Sequence, residues 1–139
     1  MSNVSYSKEN NTMGLAAAKL LLDIKAVNFR PNEPYILTSG WASPVYIDCR
    51  KLISYPKERN KMMQLAIAML NDRIGLKKID AIAGGETAGI PYAAWISQST
   101  EKPMLYVRKK PKGFGRNAQI EGDLNEDSKV LLVEDLATD

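Results

Sequence analysis

Three short apolar runs, at residues 79–85 (IDAIAGG), 104–107 (MLYV) and 129–133 (KVLLV), alternate with stretches of helical spacing. The last of them has no polar side chain between Val130 and Val133. Strands that are apolar on both sides must be covered on both faces. When they alternate with helices, the arrangement that does this is a mostly parallel sheet flanked by helices, an α/β fold. With 139 residues and 45% hydrophobic side chains, the chain is large enough to bury a core as one domain.

Upstream of these runs the pattern is different. Residues 1–11 are polar and read as a flexible leader. From Thr12, a plausible N-cap, TMGLAAAKLLLDIKAV places Leu15, Lys19 and Leu22 at helical spacing. Residues 28–34 (NFRPNEP) form a turn-rich link with two prolines, and strands are expected at 35–38 and 44–48, with Ser39-Gly40 turning between them. Pro56 opens a long amphipathic helix over 56–74, with Met62, Leu65, Ala66, Met69 and Leu70 as its apolar stripe and Gly75 as its stop. A further helix is expected at 90–99. The N-terminal helix and its strands thus read as a subdomain ahead of the sheet.

Composition removes several chemistries. There is one cysteine, Cys49, so an intrachain disulfide or a cysteine-held zinc is excluded, and a reducing, cytoplasmic setting is expected. No histidine occurs, which rules out Ser-His-Asp and Cys-His nucleophile schemes. The apolar runs are too short to span a bilayer, and a net charge of +3 is too mild to point to nucleic acid. Any chemistry here must rest on carboxylates, lysines, arginines, hydroxyls and backbone amides.

Four segments can carry it, each with a plainer reading beside the functional one. VLLVEDLATD sets Glu134 and Asp135 at the carboxyl end of a strand, where ligands collect in open α/β sheets, and Thr138 follows where a turn can offer its hydroxyl to a phosphate. The same pattern also describes a solvated acidic turn. RKKPKGFGRNAQIEG puts Arg108, Lys109, Lys110, Lys112 and Arg116 on a glycine-containing loop, 108–122, that can close over an anion or simply be a solvated basic loop. GGETAGIP follows a strand with paired glycines, as a ligand loop or a structural turn; it has neither dinucleotide-fingerprint nor Walker spacing. In LTSGWASPVYID, Trp41 and Tyr46 can wall a planar ligand or lie in a core.

In this order, the four segments resemble orotate phosphoribosyltransferase, a type I phosphoribosyltransferase, over residues 34–139. SGWASPVYIDCR is similar to the family's SG–SP–Y–D-R segment, GGETAGIP to its central glycine loop, and PMLYVRKKPKGFGRNAQIEG to its mobile catalytic loop with the strand before it. VLLVEDLATD resembles the start of the phosphoribosyl pyrophosphate motif, which many phosphoribosyltransferases share. The resemblance implies magnesium-dependent transfer of phosphoribosyl from phosphoribosyl pyrophosphate to orotate, giving orotidine 5′-monophosphate and diphosphate for pyrimidine biosynthesis.

By position, the resemblance implies that Arg108, Lys109 and Lys112 contact the diphosphate and that Lys112 and Asp135 are catalytic. Glu134 and Asp135 would hold the ribose hydroxyls and, through them, Mg2+, while Leu136, Ala137, Thr138 and Asp139 continue the donor site. Thr138, Tyr46 and Ile47 would lie against orotate. A homodimer is implied, with Lys109 reaching the neighbouring site, and neither nucleic acid nor membrane is an expected partner. Phe114 stands where relatives often carry histidine, with Arg116 or Lys112 left to take its charge role, and Thr38 and Ala88 stand where many carry lysine.

Relatives continue past the position of Asp139 with the rest of the phosphate loop, so the sheet is expected to be incomplete and the 139-residue chain inactive alone. Two other readings are a non-catalytic regulatory relative that binds nucleotide or RNA, and a phosphoribosyltransferase acting on a purine base.

Overall fold

A computed structural model of the chain describes residues 8–113 and 118–137. Phe114, Arg116, Thr138 and Asp139, all singled out above, lie outside the described residues. The chain divides into two compact units, Met1–Met62 and Met63–Asp139.

The first unit opens with helix α1, Lys8–Asp23. It begins inside the stretch expected as leader, so Thr12 is a helical residue and not a cap. The helix ends four residues earlier than its apolar pattern suggests, although no glycine stops it. Lys25 adopts a positive φ of 54°, the Ala26 N–H reaches back to the Leu21 carbonyl at 2.8 Å, and the Lys25 N–H to that of Leu22 at 2.9 Å. This is a Schellman ending built on a lysine. The turn releases the chain into strand β1, Val27–Phe29, where the prolines had suggested only a link.

Strand β2 is Tyr35–Ile36, β3 is Ala42–Ser43 and β4 is Val45–Ile47. β1 pairs antiparallel with β4, setting Asn28 opposite Tyr46, and β2 with β3. The turn between β2 and β3 is closed by the Gly40 N–H donating to Leu37 O at 2.8 Å, with Gly40 at φ 85°, a conformation glycine takes without steric cost. Ile24, Ala26, Cys49 and Leu52 are buried, the last two on a 3-10 turn, Cys49–Ser54.

Helix α2, Pro56–Arg73, starts on its proline as expected and ends before Gly75, whose φ is 81°. Its buried residue is Met63, whereas Met69 of the expected stripe is exposed. The apolar residues of this helix cover most of its circumference, so spacing alone does not say which face turns inward.

In the second unit, strands β5 (Ala81–Gly85), β6 (Met104–Val107), β7 (Ile120–Glu121) and β8 (Val130–Val133) form one sheet in the order β7-β6-β5-β8. β5 pairs parallel with both β6 and β8, and β7 is antiparallel to β6. Helix α3, Gly89–Thr100, crosses from β5 to β6 and packs against β5, β6 and β8. Every residue of β5 is buried, and Ala81, Ala83 and Leu105 form a core cluster with Val107 beside it. Gly84 allows the helix to approach, since a Cβ there would stand 2.6 Å from the Ile90 Cα. The mostly parallel α/β sheet expected from the apolar runs is therefore present. Its cover is uneven: Val130 and Leu132 of β8 remain exposed.

The basic segment is more ordered than a plain loop. β7 returns it to the sheet, pairing Glu121 with Tyr106 and Ile120 with Val107. Beyond the strands, the Arg108 N–H donates to Gln119 O at 2.8 Å and the Lys112 N–H to Ala118 O at 3.0 Å. The Gln119 side-chain amide closes the rung by donating to Arg108 O at 3.2 Å. A two-residue strand with one apolar side chain leaves no period to read, so this hairpin arm was not visible in the sequence.

Candidate active site

Parallel pairing sets the site. Gly85 lies in register with Val107, and Gly84 with Val133, so β5, β6 and β8 end together. The residues that follow them, Glu86, Arg108 and Glu134, therefore leave the sheet at one edge. That is the carboxyl edge, where ligands bind in open α/β folds. Three of the four candidate segments meet there. The fourth, with Tyr46 and Ile47, belongs to the first unit.

The glycine loop is shaped around an acid. A Cβ on Gly85 would collide with Glu134 Oε1, and one on Gly89 would collide with Val133 O and stand 3.1 Å from Glu134 Oε2. The absence of side chains at these two positions makes the space for the Glu134 carboxylate. Between them the chain turns through Glu86, Thr87 and Ala88, with the Ile90 N–H donating to Thr87 O at 3.3 Å and a cis peptide joining Glu86 to Thr87. Asp135, half-buried, follows Glu134. The two neighbours have different surroundings, which suits separate contacts to a ligand better than a shared proton.

Beside the loop, Glu86, Arg108, Lys109, Lys110, Pro111, Lys112 and Gly113 line a cavity of about 410 Å³. The Glu86 carboxylate fastens the wall, accepting from the Lys109 N–H at 2.8 Å, while the Glu86 N–H donates to Val107 O at 2.8 Å. Glu86 stood within the quoted glycine segment but was not among the expected site residues. Its role as an anchor for the basic arm depends on the β5–β6 register.

Glu121 was also missed. Its Oε1 is buried without a hydrogen bond, 3.6 Å from Arg108 Nη1 and 4.0 Å from Lys112 Nζ. Arg108, Lys109 and Lys112 are thus brought together, facing one cavity. Leu136 and Ala137 are exposed past the acid pair. Thr38 is exposed and Ala88 is the N-cap of α3; both side chains are uncharged, so neither place offers a cation.

In the first unit, Tyr46 packs against Tyr35 with ring centroids 5.3 Å apart, and its hydroxyl accepts from Arg50 at 3.0 Å. Arg30 lies 4.7 Å from the Tyr35 ring centroid. Ile47 is partly exposed next to Tyr46 on β4. Among the described residues no three acidic, histidine or cysteine side chains group to hold a metal, and no helix is long and apolar enough to cross a membrane.

The chain is 56% identical over 130 residues to an orotate phosphoribosyltransferase of Sinorhizobium medicae, covering 94% of this chain and 56% of that protein. It is 59% identical over 123 residues to one of Cereibacter sphaeroides, covering 88% and 53%. Over the matched stretch the chain is similar to the orotate phosphoribosyltransferases. It spans about half the length of these relatives. The crystal structure of orotate phosphoribosyltransferase from Aeropyrum pernix superposes with a TM-score of 0.61 at 27% identity, over 84% of this chain and 61% of that one. No protein-family profile matches the chain. The type I phosphoribosyltransferase fold and the family resemblance drawn from the four segments therefore both stand.

Proposed function

We propose that the protein carrying this chain transfers the phosphoribosyl group of phosphoribosyl pyrophosphate to orotate, releasing diphosphate and forming orotidine 5′-monophosphate. The observation that supports it is the common end of β5, β6 and β8, which brings glycine loop, basic arm and acid pair to one edge. A donor with a diphosphate at one end and ribose hydroxyls in the middle needs cations and carboxylates close together in that way.

In this reaction the bond from the anomeric carbon to the diphosphate oxygen breaks as a ring nitrogen of orotate forms its bond to that carbon and gives up its proton, which the departing diphosphate can take. Negative charge grows on the leaving diphosphate and positive charge on the ribose ring. Arg108, Lys109 and Lys112 offset the first, and fixed charge of this kind is where such catalysis gains most. Glu134 and Asp135 hold the ribose hydroxyls and favour the cationic ring.

Two adjacent carboxylates, with no third metal-binding side chain grouped beside them among the described residues, fit a magnesium ion that arrives with the donor's phosphates better than an all-protein cage. When bound, that ion neutralises diphosphate charge. Thr138 is assigned to the donor's 5′-phosphate and to orotate, and Tyr46 and Ile47 to the orotate ring, by their match to the family's segments. A homodimer in which Lys109 serves the neighbouring site completes the reading.

The test is turnover by the purified full-length protein. Orotate should be consumed with phosphoribosyl pyrophosphate and magnesium, while adenine and hypoxanthine are not. Turnover of a purine in place of orotate, or salt-sensitive RNA binding with no turnover, would overturn it.

A further inference from the structure

Glu121 is the only acid between Arg108 and Gly122, on a segment otherwise rich in lysine and arginine. Strand β7 fixes it opposite Tyr106, so its carboxylate is directed by the ladder. One oxygen, Oε1, is buried and serves two cations at once, 3.6 Å from Arg108 and 4.0 Å from Lys112, with no hydrogen bond to either. At these distances the attraction is electrostatic, and Arg108 Nη1 also donates to the Tyr106 hydroxyl at 3.4 Å. Both side chains keep access to solvent, at 29% and 38% exposure, so an incoming anion can reach them.

We infer that Glu121 is a positioning residue: an internal anion that gathers Arg108 and Lys112 and competes with the diphosphate end of the donor for them. The inference rests on the reading of these two cations as diphosphate ligands. A carboxylate beside two cations cancels one of their charges, so a polyanion entering the same place meets both attraction and a fixed repulsion. Diphosphate is the group the donor brings in and the group that leaves as product. A built-in competitor therefore lowers affinity for both and eases departure of the product. Glu121 need touch no reacting atom to do this.

Calorimetric titration of the full-length protein with inorganic diphosphate and magnesium tests the proposal. Glu121→Gln removes the charge and keeps the shape, and it should bind diphosphate about three- to tenfold tighter, the change expected from losing one nearby like charge. The gain should shrink as salt is raised, because the repulsion it relieves is screened; a purely structural effect of the substitution would not follow ionic strength in this way. Glu121→Asp draws the carboxylate back by one methylene and should give a smaller gain in the same direction. That variant decides the matter if the glutamine form does not fold.

Unchanged or weaker diphosphate binding by the folded variants would overturn the role given to Glu121. Arg108→Met and Lys112→Met separate this failure from failure of the underlying reading. If both weaken diphosphate binding while Glu121→Gln does not tighten it, only the Glu121 inference falls. If neither weakens it, the assignment of these cations to diphosphate falls too.

Discussion

The Glu134 carboxylate occupies the place where a side chain on Gly85 would have to go. Neighbouring Gly84 is constrained differently: there the obstacle is the backbone of α3, at Ile90 Cα and Gly89 O. The two glycines should therefore fail in different ways. Glu134 is exposed and its carboxylate is the far end of a flexible side chain, so Gly85→Ala can be accommodated by swinging the carboxylate aside. The variant should unfold at nearly the wild-type temperature yet bind phosphoribosyl pyrophosphate about tenfold more weakly. Gly84→Ala must push a helix off a sheet, and should cost about 1–3 kcal/mol of stability. Thermal unfolding alongside donor titration distinguishes them. Equal loss of stability in both would contradict the assignment of Gly85 to the site.

Lys25 ends α1 in a left-handed conformation that costs a side chain roughly 1–2 kcal/mol and costs glycine little. Its carbonyl accepts from Lys51 Nζ at 3.0 Å, and that bond survives any side-chain change. Lys25→Gly should therefore raise stability, by about 1 kcal/mol after the greater freedom of glycine in the unfolded chain is counted. Denaturant unfolding at equilibrium would show it as a higher midpoint at unchanged slope.

The same lysine explains part of what could not be read beforehand. Helix ends marked by proline or glycine, at Pro56 and Gly75, were legible because those residues limit the backbone directly. The ends at Lys25 and Glu101 carry no such mark, because ordinary residues take the left-handed position there. β6 was legible over its whole length, whereas β1, β3 and β7 have two or three residues each and show no alternation. At the site, each segment announced its chemistry through residue type. Their meeting did not, since it depends on β5 pairing in register with β6 and β8. Glu86 and Glu121 are placed by the pairing of β6 with β5 and β7, and look like ordinary acids in the sequence.

Lys112 lines the cavity with Arg108 and Lys109, and its backbone N–H is tied to Ala118 within the hairpin arm. If Lys112 meets the leaving diphosphate as proposed, it matters most when charge develops there, and less to the binding of orotate. Lys112→Ala should lower kcat by about a hundredfold while the KM for orotate changes less than about threefold. Steady-state kinetics in the full-length protein gives both numbers. A variant that turns over normally would remove this lysine from the catalytic set.

Asp135 offers the sharper test of how donor and metal are held. Glu134 is committed to the space above Gly85 and Gly89, so the two acids are not interchangeable, and Asp135 has no glycine-lined slot of its own. If Asp135 holds the ribose hydroxyls and, through them, the magnesium that comes with the donor, removing its charge should weaken the two together. Asp135→Asn keeps the shape and can still accept a hydrogen bond. The loss should thus be that of a charge-assisted contact, about 1.5–3 kcal/mol, or roughly ten- to a hundredfold in donor affinity. Adding magnesium should recover little of it, because the ion's anchor and not its supply is missing. Orotidine 5′-monophosphate, which has the ribose but no diphosphate, should lose affinity as well. Donor titrations at several magnesium concentrations, with the nucleotide product as comparison, check each point, and an unaltered donor affinity would count against Asp135.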